Sequence, residues 1–142
     1  MAYYSRTLKM PFQQVLDKVT ENLELQGFGV ITTIDVQDTF QKKLKVGFRK
    51  YKILGACNPQ LAYNAISLES HMGIMLPCNV VVQEHENGEV EVSAINPLEN
   101  FDKALDTTQL VDLATEIGVR LRAAVDYLHH KPAKVRREAL PV

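Results

Sequence analysis

The spacing of apolar residues changes several times along the chain, and each change marks an element. Tyr3 to Lys9 is aromatic and β-branched enough to form a strand. Pro11 then sits where a first helical residue is favoured, because its missing N–H has no partner to lose there. Phe12, Val15, Leu16, Val19 and Leu23 recur at three- and four-residue steps, which lines one face of a helix and leaves Gln13, Asp17, Lys18 and Glu21 outside. Gly27 ends that helix as a left-handed cap. Gly29 to Ile34 (GVITTI) reads as a second strand. Asp35 caps a short second helix with Val36, Phe40 and Leu44 facing inward, and Arg49 to Leu54 gives a third strand.

A cleaner helix start follows. Asn58 is a favoured N-cap and Pro59 a favoured first residue, with Leu61, Ala62, Ala65, Ile66 and Leu68 giving an apolar face. A fourth strand runs around Ile74 to Gln83, and Pro77, which cannot donate a ladder hydrogen bond, must lie at an edge, a bulge or the start of pairing. HENGE, residues 85–89, turns the chain into EVEVSAI, residues 89–95. A two-residue loop would split the apolar set between both sides of the sheet. A three-residue loop, Glu86 to Gly88 with Gly88 left-handed, places Val82 opposite Val92 and Val80 opposite Ala94. That register puts Ile74, Leu76 and Cys78 on the helix side and predicts a buried Cys78. Asp106 or Thr107 starts the longest helix, in which Leu110, Leu113, Ile117, Leu121, Val125 and Leu128 keep the helical period.

These elements predict an α+β fold: a two-layer sandwich, its mixed or antiparallel sheet of about five strands covered on one face by helices, the long C-terminal helix among them. With 142 residues, 46% of them hydrophobic, one domain over residues 1–131 is expected. Residues 132–142 read as a basic, mobile tail. There is no internal repeat or linker.

Charge and cysteine content narrow the function classes. Sixteen Lys and Arg against seventeen Asp and Glu leave no surplus to attract nucleic acid. No apolar run has signal-peptide or membrane-spanning length, so no membrane partner is expected and the chain reads as soluble and cytoplasmic. Two cysteines make no disulfide framework, and in a reducing compartment they are free thiols. The sequence holds no nucleophile elbow, phosphate loop or zinc-binding helix pair, so it does not indicate an enzyme, a cofactor or a metal.

The candidate chemistry sits in two Cys-Asn pairs. Cys57 directly precedes the Asn58 cap, which puts its sulfur near unpaired N–H groups and the positive end of a helix dipole, surroundings that favour thiolate and small anions. The plainer account makes it a small apolar residue at a strand-to-helix turn. If the third and fourth strands are neighbours, Cys57 and Cys78 come together as a redox couple, half of a soft-metal site, or core packing. Capping accounts for Asn58, and Asn79 beside Pro77 can bond an orphan backbone group. His71, near Glu69 and Met72, reads as a solvated loop residue, and His85 with Glu84 and Glu86 as a polar hairpin tip.

The run FRKYKILGACNPQLAYNAI, residues 48–66, followed by GIMLPCNVVV, residues 73–82, resembles the bacterial and archaeal family known as domain of unknown function 302. GFGVITTID before these blocks and EVEVSAINP after them resemble it too. The resemblance implies a compact two-layer α+β domain grouped with TATA-binding-protein-like folds and forming homodimers. It implies no reaction, ligand or catalytic residue. The leading expectation is therefore a non-enzymatic homodimer binding a small molecule or anion where the Asn58 helix begins, with Cys57, Asn58, Cys78 and Asn79 as candidate residues. The alternatives are a thiol-dependent redox or metal-handling protein using Cys57 and Cys78, and a pure interaction module.

Overall fold

The structure, a computed structural model, describes residues 1–129, so the basic tail falls outside the described residues. Strands β1 (Tyr3–Leu8), β2 (Gly29–Asp35), β3 (Tyr51–Cys57), β4 (Cys78–Glu84) and β5 (Val90–Ile95) form one sheet in the order β1-β5-β4-β3-β2. Every neighbouring pair is antiparallel. The β4–β5 hairpin has the predicted register, Val80 opposite Ala94 and Val82 opposite Val92, with Gly88 at φ +83 in the loop. Because side chains alternate along a strand, this register collects Cys78, Val80, Val82, Val90, Val92 and Ala94 on one face, and all six are buried.

Two helices cover that face. α1 (Phe12–Leu25) buries the five residues predicted from its spacing, and Gly27 follows it at φ +86. α5 (Thr108–Asp126) begins with the Thr107 hydroxyl accepting from Leu110 N and buries Leu110, Ile117, Leu121 and Val125. The helices lock together at their ends, where Lys18 Nζ donates to Leu128 O and Asn22 Nδ2 to Ala124 O. Each fully buried Val or Leu stabilises the fold by about 1.5–3 kcal/mol relative to an exposed one, so this two-helix lid over β4 and β5 is the main source of stability.

Several expectations need correction. Asp35 does cap α2 (Val36–Leu44) by accepting from Asp38 N, but no residue of α2 is buried and Leu44 is 63% exposed. α1 and α5 already occupy the inner face, so α2 stands at the β2–β3 end, held by a chain of rings from Phe40 to Phe48 to Tyr51. The third strand begins at Tyr51 rather than Arg49, and the fourth at Cys78 rather than Ile74. Residues Ser70–Ile74 form a 3-10 turn that leaves Ile74 exposed. In α3 (Pro59–Leu68) only Leu61 and Ala65 are buried, while Ile66 and Leu68 face solvent. Pro11 is the cap position of α1, and the helix proper starts at Phe12.

Candidate functional site

The site is built where β3 ends and β4 begins. Ala56 pairs with Cys78, and Gly29 with Cys57, so the register brings the last residue of β3 beside the first of β4. Gly55 makes this approach possible: a Cβ there would collide with Thr32 Oγ1 and lie 2.9 Å from Pro77 Cγ. No larger residue lets the Pro77 ring lie against β3, and it is this ring that feeds the chain into pairing at Cys78. After Cys57 the backbone leaves the sheet. Asn58 accepts from Leu61 N at 3.2 Å and Pro59 opens α3, so both predicted capping roles hold.

Cys57 and Cys78 are free thiols lining one small cavity with Ala56, Asn58, Leu76 and Pro77. Its walls are otherwise apolar, closed by Phe28, Leu61, Ala62 and Ile117, and it measures about 20 Å³, room for a single water. That volume is small for the anion or small-molecule pocket expected at this place. Cys78 is 2% exposed, as predicted, and Cys57 is half-buried at the margin. Burial pushes the Cys78 thiol up to about 12, and a charge on Cys57 pushes it the same way. Two thiolates in this space would repel in a poorly hydrated environment, so the pair holds at most one negative charge near neutral pH.

Asn79 does not join them. Alternation turns its side chain to the other face of the sheet, opposite Gly55, where it is exposed. Asn58 is 8% exposed and packs tightly: a Cβ on Gly27 would stand 2.9 Å from its Nδ2 and 3.2 Å from Arg120 Nη1. The Arg120 guanidinium donates to Gln26 O and pairs with Glu116. Sequence spacing does not find Phe28, Ile117 or Arg120, because each comes from an element far away in the chain. Pro77 was visible as a ladder breaker but not as a wall of the cavity.

The histidines belong elsewhere. His71 is exposed and bonds Glu69 at 2.6 Å, while Met72 beside it is buried in the core. His85 bonds Glu91 across the hairpin at 2.9 Å rather than its neighbours in sequence. Among the described residues, no group of three or more His, Cys, Asp or Glu is arranged to hold a metal, and no helix is long and apolar enough to cross a membrane. A roomier groove of about 450 Å³ lies between α1 and β2–β3, lined by Asp17, Glu21 and Glu24 on one side and Thr33 and Lys52 on the other. None of the four candidate residues lines it.

No curated protein matches the chain. A solved structure of similar fold is the crystal structure of the uncharacterized conserved protein DUF302 from Bacillus stearothermophilus. It is 28% identical, with a TM-score of 0.80 over 89% of this chain and 97% of that one. A family model matches residues 4–128, which takes in the sheet from Tyr4 onward, both covering helices and both cysteines. The chain therefore belongs to the family described as domain of unknown function DUF302.

Proposed function

We propose that the protein works through a reversible dithiol–disulfide couple in which Cys57 is the reactive thiol and Cys78 its buried partner. One observation carries this reading: two cysteines from different strands line the same small, water-sized cavity, and of the two Cys57 is the more exposed. A binding pocket would need more room than about 20 Å³. The oxidant class is a small disulfide. The Cys57 thiolate attacks one sulfur of RSSR, forming a Cys57–SR mixed disulfide and releasing RS⁻. Cys78, on losing its proton, then attacks the Cys57 sulfur and expels the second RS⁻. Two thiol protons go to solvent and two electrons to the small disulfide.

The raised thiol at Cys78 makes the second step the slow one. Below a pKa of about 12 its thiolate fraction rises tenfold with each pH unit, so the second release should accelerate by about tenfold per unit between pH 7 and 10. The experiment mixes the native protein with 4,4′-dithiodipyridine and follows thiopyridone. One equivalent is expected at once and a second later at the pH-dependent rate, with a Cys57–Cys78 disulfide in unreduced peptide maps. Cys78→Ala should stop at a stable mixed disulfide, and Cys57→Ser should abolish the fast phase. Two thiols that react only on unfolding would overturn the proposal, as would a mixed disulfide that does not resolve even at pH 10.

A further inference from the structure

The near-even balance of charge over the whole chain conceals one lopsided segment. Residues 42–52 (KKLKVGFRKYK) carry six of the sixteen Lys and Arg and no Asp or Glu. They run from the last turn of α2 into β3, and every residue from Gln41 to Gly47 is exposed. The α2 dipole favours lysine at positions 42 and 43, and Asp38 pairs with Lys42 at 2.9 Å. Nothing comparable accounts for Lys45, and no ion pair among the described residues engages Lys43 or Lys45.

Three features set this segment apart from a merely solvated run of lysines. Lys45 stands at φ +57, ψ 33 and is the one non-glycine residue with positive φ among the described residues. Glycine or asparagine takes that helix-ending conformation at less cost, so a lysine kept there is kept for its side chain. Aliphatic side chains alternate with the cations: Leu44 is 63% exposed and Val46 45%. Leu44 also ends the Val36, Phe40, Leu44 stripe, which has helical spacing but no buried member, on a helix too short to be stable without packing. Finally, Arg49 is held in place, its guanidinium 4.4 Å from the centre of the Phe48 ring and its Nε donating to Gln83 Oε1 at 3.0 Å.

We infer that the end of α2 and the segment after it, residues 42–50, form a contact surface for an anionic lipid bilayer. Cations interleaved with exposed aliphatic side chains match such an interface on both counts: the lysines meet the headgroups while Leu44 and Val46 enter the acyl boundary. Nucleic acid is the other extended polyanion, but bases stack on open aromatic faces, and here the Phe40, Phe48 and Tyr51 rings pack on one another and under Arg49. The exposed apolar side chains of the segment are aliphatic. The sequence-based expectation of no membrane partner followed from the lack of a spanning run, and contact with a bilayer surface requires none. Each Lys or Arg brought to an anionic surface raises binding about fivefold, an effect that salt screens.

Co-sedimentation of the full chain with vesicles of phosphatidylcholine containing about 30% phosphatidylserine tests this, at about 50 mM salt. The wild type should bind these vesicles, release them at about 500 mM salt and leave pure phosphatidylcholine vesicles alone. Lys43→Glu with Lys45→Glu should weaken binding by about twenty-five-fold or more, at fivefold for each lysine. Leu44→Ser with Val46→Ser, which leaves the charge unchanged, should weaken it by at least about tenfold. All four positions are exposed, so both variants should keep the far-UV spectrum of the wild type. Lys134→Glu with Arg136→Glu, in the basic tail, is the control and should bind as the wild type does. A wild type that ignores the anionic vesicles overturns the inference, as does one that binds a single-stranded oligonucleotide more tightly than the vesicles. Full binding by either segment variant, or a loss in the tail variant equal to that of Lys43→Glu/Lys45→Glu, overturns it too.

Discussion

Two strands of the sheet pass into helices through the same four-residue junction. β3 ends Ala56-Cys57-Asn58-Pro59 and leads into α3; β5 ends Ala94-Ile95-Asn96-Pro97 and leads into α4 (Pro97–Asn100). The backbone at Asn58 (φ −97, ψ 106) is nearly that at Asn96 (φ −95, ψ 107). Both alanines are buried, both asparagines cap with their side-chain oxygen, and both prolines occupy the first turn. Each junction also rests on a glycine, Gly27 against Asn58 and Gly118 against Asn96 and Pro97. At the position before the asparagine, one junction has cysteine and the other isoleucine. Since the junction forms with a hydrocarbon there, nothing in its geometry demands sulfur at residue 57. The difference lies beside the junction, where Cys57 lines a small cavity together with Cys78.

The two glycines part company on substitution, and here the largest effect is expected. Gly27 is at φ +86, a conformation that costs an L-residue about 1–2 kcal/mol, and an added Cβ would press on Asn58 Nδ2 at 2.9 Å. That amide cannot retreat without loosening the cap. Gly27→Ala should therefore destabilise the protein by about 2–3 kcal/mol in urea unfolding, with an unchanged slope against denaturant. A cost below about 1 kcal/mol would mean that Asn58 is free to move, and the locked junction described for β3 would be wrong.

The asparagines should differ in kind more than in size. Removing either cap, by Asn58→Ala or Asn96→Ala, should cost about 1–2 kcal/mol. Aspartate separates them. Among the described residues the Asn58 side chain bonds through its oxygen, which accepts from Leu61 N, so Asn58→Asp keeps the cap and adds a favourable charge at the helix start. It should stay within about 0.5 kcal/mol of wild type. Asn96 also donates from Nδ2 to Met1 O at 2.8 Å, and a carboxylate would set an acceptor against that carbonyl. Asn96→Asp should thus cost as much as Asn96→Ala, again read from urea unfolding. Equal tolerance of aspartate at both sites would erase the distinction.

The same comparison shows what could be read in the sequence. Period and capping are local, and they suffice for α1, α3, α5, the hairpin register and a buried Cys78. The Asn96-Pro97 signal is as clear as that of Asn58-Pro59, but the helix it opens is one turn long, too short for a periodic pattern to announce it. The failures are non-local. Whether the Val36, Phe40 and Leu44 stripe has anything to pack on depends on where the chain carries α2, not on its own spacing. At the candidate site, spacing supplied the two cysteines and the Asn58 cap. It placed Asn79 with them only because it follows Cys78, and the alternation of a strand sends the two to opposite faces. Phe28, Ile117 and Arg120 carry no mark of the role they take.

Gly118 makes the smallest change and the sharpest contrast with Gly27. It lies within α5, where alanine is favoured over glycine by about 1 kcal/mol. Against that gain, an added Cβ would stand 3.3 Å from the Tyr4 hydroxyl and 3.4 Å from Pro97 Cδ, so both must yield by a few tenths of an ångström. The hydroxyl is the far end of a half-buried side chain whose ring faces the exposed Arg122, and it has room to give; Pro97 has little. The two contributions nearly cancel, and Gly118→Ala should fall within about 0.5 kcal/mol of wild type in the unfolding assay that registers Gly27→Ala as a large loss. If Gly118→Ala instead costs 2 kcal/mol, Pro97 cannot shift, and the β5 junction is held against its helix as rigidly as the β3 junction is held against Gly27. The two would then differ only in the sulfur.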